Sequence, residues 1–150
     1  MIISFDLDDT LIPSTKKFDV EKRNIFQMIF GIETLRKGTV DLIKNLKLKN
    51  HKIYIYTTSF RKPSKIWWTF FSYGIKVDKI INQKRHLKII PKNLFASKYP
   101  PAFNIDIHID DSYGVGIEGN DNNFRTIIVN NDNTNWCSYV LQSIEKHSKI

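Results

Sequence analysis

Short apolar runs recur along the chain, each closed by polar or turn-forming residues. Residues 2–6 (IISFD) and 52–57 (KIYIYT) are rich in β-branched and aromatic side chains and read as strands buried in a sheet. Residues 78–82 (DKIIN), 105–109 (IDIHI) and 125–129 (RTIIV) read the same way, giving five strands. Between them the spacing changes. Residues 39–49 place Val40, Ile43, Leu46 and Leu48 near helical intervals, with Gly38 before them and Thr39 positioned to cap. Residues 63–73 open with Pro63, set Ile66, Trp67, Phe70 and Phe71 on one apolar face, and end at Gly74. A short helix is expected within 20–30 and a terminal one at 134–147. Residues 84–101 read as a basic connection in which Pro100 and Pro101 exclude regular structure. The Asn-rich stretches 120–124 and 130–135 read as turns and a helix start.

Strands that alternate with helices imply an α/β fold, with a parallel sheet covered by helices on both faces. In such sheets ligands gather beyond the carboxyl ends of the strands. The 150 residues suit one domain with one sizeable core, and no repeat or composition shift divides them, so a single domain over 1–150 is expected. The 41% hydrophobic content argues against disorder. No apolar run approaches the roughly 20 residues of a membrane helix, and acids fall where a leader's apolar stretch would lie. A cytoplasmic protein with no membrane partner is therefore expected. Cys137, the single cysteine, excludes an internal disulfide and a cysteine-rich metal site. The net charge of +8 points to a polyanion such as nucleic acid or a phosphorylated protein, although an Ile-, Lys- and Asn-rich composition is a second source of it.

Chemistry collects at the strand ends. The first strand runs into Asp6, Asp8 and Asp9, and the fourth into Asp110 and Asp111. The second ends in Thr57, Thr58 and Ser59, and Lys98 lies in the loop before the fourth. Carboxylates brought together repel unless a cation intervenes, and an all-oxygen ligand set suits Mg2+. Magnesium, a hydroxyl and an ammonium in one crevice are suited to phosphate. Asp9 reads as a turn or cap residue, and Thr10 as part of the same turn. Trp67 and Trp68 cannot share a helix face, so one is expected in the core and the other near Arg61, Lys62 and Lys65, where an exposed indole would suit base stacking. The four histidines show no ligand spacing; His108 reads as a core residue, and Cys137 as buried and inert.

DLDDTL at 6–11 resembles the first motif of the haloacid dehalogenase (HAD) superfamily, Asp-x-Asp-x-Thr after an apolar strand. Thr57 resembles its second motif, Lys98 its lysine, and Asp110-Asp111 its acidic fourth motif, in that order along the chain. The resemblance implies a three-layer Rossmann-like fold with a five-stranded sheet in the order 3-2-1-4-5 and no large cap. It implies a Mg2+-dependent phosphohydrolase in which ionised Asp6 is the nucleophile and Asp8 the general acid and base. Asp6, the Asp8 carbonyl and Asp111 would hold the metal, Asp110 would support it, and Thr57, Thr58 and Lys98 would bind phosphate. Many relatives carry a further acid four residues after the metal aspartate; here Val115 stands there, and Glu118 is the nearest candidate. Lys84, Lys88 and Lys92 compete with Lys98 for the lysine role. The room between strands leaves the site open, so the substrate may be as small as a phosphate ester or nucleotide or as large as a phosphoprotein or nucleic-acid end. Two other readings stand beside this one: a receiver-like phosphoacceptor domain, and a basic nucleic-acid-binding domain with an inactive HAD site.

Overall fold

The structure, a computed structural model, describes residues 1–91 and 94–148. Five strands form where the apolar runs lie: β1 (Ile2–Phe5), β2 (Lys52–Tyr56), β3 (Lys79–Ile81), β4 (Ile107–Asp110) and β5 (Thr126–Ile128). All neighbours pair in parallel in the order β3-β2-β1-β4-β5. This is the Rossmann-like α/β arrangement that the sequence implies. β1 sits at the centre, so β2 and β4 flank it and their carboxyl ends open beside its own. Pairing continues one residue past the strands: the Asp6 amide donates to the Ile109 carbonyl at 2.8 Å, and the Thr57 amide to the Ile81 carbonyl at 2.9 Å.

Alternation along each strand divides the interior. Ile3 and Phe5, Ile53 and Ile55, and Ile107 and Ile109 belong to the larger core. It is closed by α2 (Thr39–Leu48), α3 (Pro63–Ser72) and α6 (Trp136–Ser148), through residues such as Leu46, Phe70 and Val140. A smaller core gathers Tyr56 and Ile81 with Ile90, Phe103 and Ile105. The remaining helices are α1 (Ile25–Ile29), α4 (Gln83–Ile89) and α5 (Tyr113–Asp121). Among the described residues no helix is long and apolar enough to cross a membrane.

Several local expectations are corrected. The stretch read as an irregular basic connection contains α4 and a 3₁₀ turn at Pro100–Phe103. Helix α4 buries only His86, so hydrophobic spacing gives no sign of it; its signal is Asn82, whose side chain accepts from the Arg85 amide at 3.1 Å. Helix α5 went unassigned because three glycines interrupt it. One of them has a packing reason: a Cβ on Gly119 would meet the Phe124 carbonyl oxygen at 2.9 Å, so this residue lets α5 approach the chain entering β5. The 20–30 helix shortens to α1, closed by a capping box between Asn24 and Gln27. Thr39 is the first helical residue and not the cap, which is Gly38 at φ 88°. The buried face of α3 is Ile66, Thr69 and Phe70. Neither Trp67 nor Trp68 is in the core: they and Phe71 are 37%, 53% and 52% exposed.

Gly38 joins the flap region to α2 under two constraints. Its φ is left-handed, and a Cβ there would lie 2.6 Å from the Cys137 sulfur on α6. Gly38→Ala is expected to cost roughly 2–4 kcal/mol from strain and overpacking together. The midpoint of urea unfolding should fall accordingly; an unchanged midpoint would show that α6 gives way freely.

Candidate active site

Three carboxylates and two ammonium groups meet where β1 and β4 end. Asp6 follows β1 directly and is buried. Its Oδ1 accepts from Lys98 Nζ at 2.5 Å. The same ammonium donates to Asp110 Oδ2 and to the Tyr56 carbonyl, each at 3.1 Å. Asp110, the last residue of β4, also accepts from His108 Nε2 at 3.0 Å and from the Ser112 amide at 2.9 Å. Ser4 and His108 meet at 2.7 Å behind this cluster, on paired positions of β1 and β4.

Lys98 is delivered by a loop held at two points. Glu118 on α5 accepts from the Ser97 amide at 2.9 Å, the Ser97 hydroxyl at 2.8 Å and the Lys98 amide at 3.2 Å. The Tyr56 hydroxyl, which also meets His86 Nδ1 at 2.5 Å, accepts from the Tyr99 amide at 2.8 Å. Glu118 thus anchors the lysine loop. Lys84 and Lys88 are exposed on α4, and Lys92 lies outside the described residues.

Asp111 faces the chain that follows β1. It accepts from the buried Thr10 hydroxyl at 3.1 Å and from Lys16 Nζ at 2.6 Å. Asp9 builds the turn that brings Lys16 there. With φ at 62°, it accepts from the amides of Ser14, Thr15 and Lys16 at 2.8–2.9 Å and from the Thr15 hydroxyl at 2.6 Å. Burial pushes its carboxyl up, but these bonds together outweigh it and hold the group below the usual range. The turn reading of Asp9 accounts for all four contacts.

Asp8 lies on the open side. Its Oδ2 accepts from Arg61 at 2.7 Å, while its buried Oδ1 has no hydrogen-bond partner among the described residues. Arg61 also reaches Glu33 at 3.0 Å and the Ser59 hydroxyl at 3.0 Å. Thr57, buried at the end of β2, accepts from the Ser59 amide at 3.0 Å, which leaves its own O–H available as a donor. Thr58 is exposed, and Ser59 is the residue that enters the loop's network.

Burial pushes the Asp6 carboxyl up to about 7; the Lys98 ammonium pulls the other way, and the charge of Asp110 adds to the rise. A divalent cation on the same oxygens would act with Lys98 and favour the carboxylate. Burial also raises Asp110, but Lys98 and His108 outweigh it and hold this group well below the usual range. Lys98, disfavoured as a cation by burial, is held charged by Asp6 and Asp110. His108 is lowered by burial and is neutral, so Nε2–H donates to Asp110 and Nδ1 accepts from Ser4.

The architecture matches a solved one. The chain superposes on the structure of a predicted HAD-like family hydrolase from Porphyromonas gingivalis with a TM-score of 0.55. The match covers 95% of this chain and 97% of that chain at 12% identity. The two chains share a fold. No protein-family model matches the sequence, and no curated protein does. The fold therefore became visible through its three-dimensional order and through the few residues at the strand ends.

Within this HAD-like fold the donor set fits a hard cation. Oxygens of Asp6, Asp110 and Asp111 all lie within 4.8 Å of one another, and among the described residues no softer ligand joins this group. Lys98 and Lys16 already oppose the repulsion among the three carboxylates. Strand ends reveal the acids, but Lys16, Glu33 and Arg61 reach the site through loops whose shape depends on Asp9 and Ser59. Nothing in the spacing of these charged residues marks them.

Replacing Lys98 by Met would leave Asp6 and Asp110 facing each other without compensation. A loss of roughly 3–5 kcal/mol is expected at neutral pH. Without the ammonium both carboxyls bind protons more readily, so the native state gains protons relative to wild type. The deficit should shrink as pH falls towards 4. Denaturant titrations at several pH values check this; a deficit constant with pH would exclude carboxylate repulsion as the cause.

Proposed function

We propose that the protein is a Mg2+-dependent phosphohydrolase with an open site, in which Asp6 is the nucleophile. The supporting observation is the meeting of Asp6, Asp110 and Asp111 within 4.8 Å, with Lys98 bonded to two of them. Mg2+ held by Asp6, Asp111 and the Asp8 carbonyl would supply positive charge to the phosphoryl oxygens. Asp110 supports that shell, since its oxygens are engaged by Lys98, His108 and Ser112.

An Asp6 oxygen attacks phosphorus, and the bond from phosphorus to the leaving oxygen breaks, giving an aspartyl-phosphate. Asp8 gives its proton to the leaving oxygen; Oδ1, which has no partner among the described residues, carries it. Water then attacks the phosphoryl group and loses a proton to Asp8, releasing phosphate and restoring Asp6. Lys98 and the Thr57 hydroxyl hold the phosphoryl oxygens through both steps, and Thr58 at the rim is a further donor. Lys16 must leave Asp111 for the metal; its side chain is 36% exposed and comes from a surface turn, which permits that exchange.

The receiver-like alternative is disfavoured by topology. Flavodoxin-like receiver domains order their strands 2-1-3-4-5, whereas this sheet runs 3-2-1-4-5. Its phosphoacceptor also follows a middle strand, and Thr57 follows β2 here.

With an aryl phosphate and Mg2+, Asp6→Asn is expected to lower turnover by roughly 10³-fold or more. Turnover that survives the substitution would remove Asp6 from the nucleophile's role. Metal binding has its own readout. At ten times its dissociation constant Mg2+ should stabilise the protein by about 1.4 kcal/mol, a rise of roughly 3–5 °C in thermal midpoint. Asp111→Asn should abolish that rise, and an equal rise in the variant would place the ion elsewhere.

A further inference from the structure

The excess charge is local. Residues 60–91 hold eight lysines and arginines against one acid, Asp78, a net of +7 out of the chain's +8. This segment spans α3, β3 and α4 and forms one edge of the sheet. Composition spread evenly would not produce that distribution. The single acid is already paired, accepting from Lys47 at 2.8 Å and from the Ile53 amide at 2.8 Å.

Aromatic rings stand among these cations. Trp67 and Phe71 stack at 4.5 Å and 13°, and Trp68 meets Trp67 edge-on at 5.2 Å. All three rings are exposed, as are Lys62, Lys65, Lys84, Arg85 and Lys88. A groove of about 420 Å³ runs beside Trp67 and is lined by Pro63, Lys79 and Arg85, with Asp78 also on its wall. Helix α4 is fastened to the loop after Thr57, and α3 continues that loop from Pro63: the Gln83 amide donates to the Ser59 carbonyl at 3.1 Å, and Asn82 Nδ2 to the Arg61 carbonyl at 3.0 Å. The platform is thus held in fixed relation to the proposed phosphate site.

We infer that this basic, aromatic edge binds single-stranded nucleic acid and presents its phosphorylated end to Asp6. The inference rests on the phosphohydrolase reading and names its substrate class. Stacking on exposed rings needs no particular base, and the flanking cations meet the sugar-phosphate backbone. A protein partner would also use exposed rings, but Arg61 apart, which pairs with Asp8 and Glu33, the exposed cations Lys62, Lys84, Arg85 and Lys88 beside the rings select a polyanion.

The test uses the full chain in EDTA, so that no turnover intervenes, and follows tryptophan fluorescence. The probes are twelve-residue oligothymidylates carrying a 5′-phosphate, a 3′-phosphate or neither, and an acidic phosphopeptide. Binding should quench the fluorescence and weaken with salt at a log–log slope of roughly −2 or steeper, about three phosphates at −0.7 each. Trp67→Ala should weaken it about tenfold. The exposed pair Lys84→Glu and Arg85→Glu should weaken it and flatten the slope, without relying on an aromatic that packs against the helix. Absence of oligonucleotide binding, binding indifferent to both sets of variants, or binding of the phosphopeptide alone would each overturn the inference. Aryl-phosphate hydrolysis without oligonucleotide binding removes the surface and leaves the phosphohydrolase. Oligonucleotide binding without aryl-phosphate hydrolysis overturns the presentation of the end to Asp6 and the phosphohydrolase with it.

Discussion

A buried ammonium between two buried carboxylates organises the end of the molecule where β1 and β4 stop. Lys98 is 2% exposed, and Asp6 and Asp110 on either side are nearly as deep. None of the three could be charged there alone, because desolvation of an isolated ion costs far more than a domain's net stability. Together they can, provided Lys98 arrives at the right depth. That requirement reaches outward through the chain. Glu118 and Tyr56 hold the backbone on either side of Lys98, His108 supports Asp110, and Ser4 fixes the His108 ring. A polar seam thus crosses a sheet whose other face is almost wholly hydrocarbon.

The sheet's topology converts this local need into a site. With β1 in the centre, the residues just after β1, β2 and β4 are forced into one opening, so acids far apart in sequence become neighbours. Ion pairs then close over two of the acids: Lys16, from the chain after β1, with Asp111, and Arg61, from the loop after β2, with Asp8. Arg61 also ties the flap's Glu33 to the loop after β2, so the same guanidinium touches both walls of the opening.

The fold was legible because its signals are of two robust kinds. Runs such as IYIY and IDIHI admit few structures other than buried strands, and alternation of strands with helices restricts the topology. The acids were legible because strand ends fall at readable places. What escaped reading depends on contacts rather than pattern. Helix α4 buries one side chain of seven, and α5 depends on glycines that let it approach β5. The exposure of both Trp67 and Trp68 reverses the expectation that one of them is in the core, since Thr69, a smaller residue, takes the inward position on α3. Lys16 and Arg61 came into place through turns closed by Asp9 and Ser59, side-chain bonds that no hydrophobic period records.

The outermost strands, β3 and β5, are three residues each. An open parallel sheet ordinarily offers its border as a template for another chain, and the hazard grows with the length of the unpaired ladder. Here either border presents too few amides and carbonyls to recruit a passing segment, and Lys79 sets a cation on one of them. The molecule can therefore expose indole and phenyl surface beside that border without promoting fibrillar self-association.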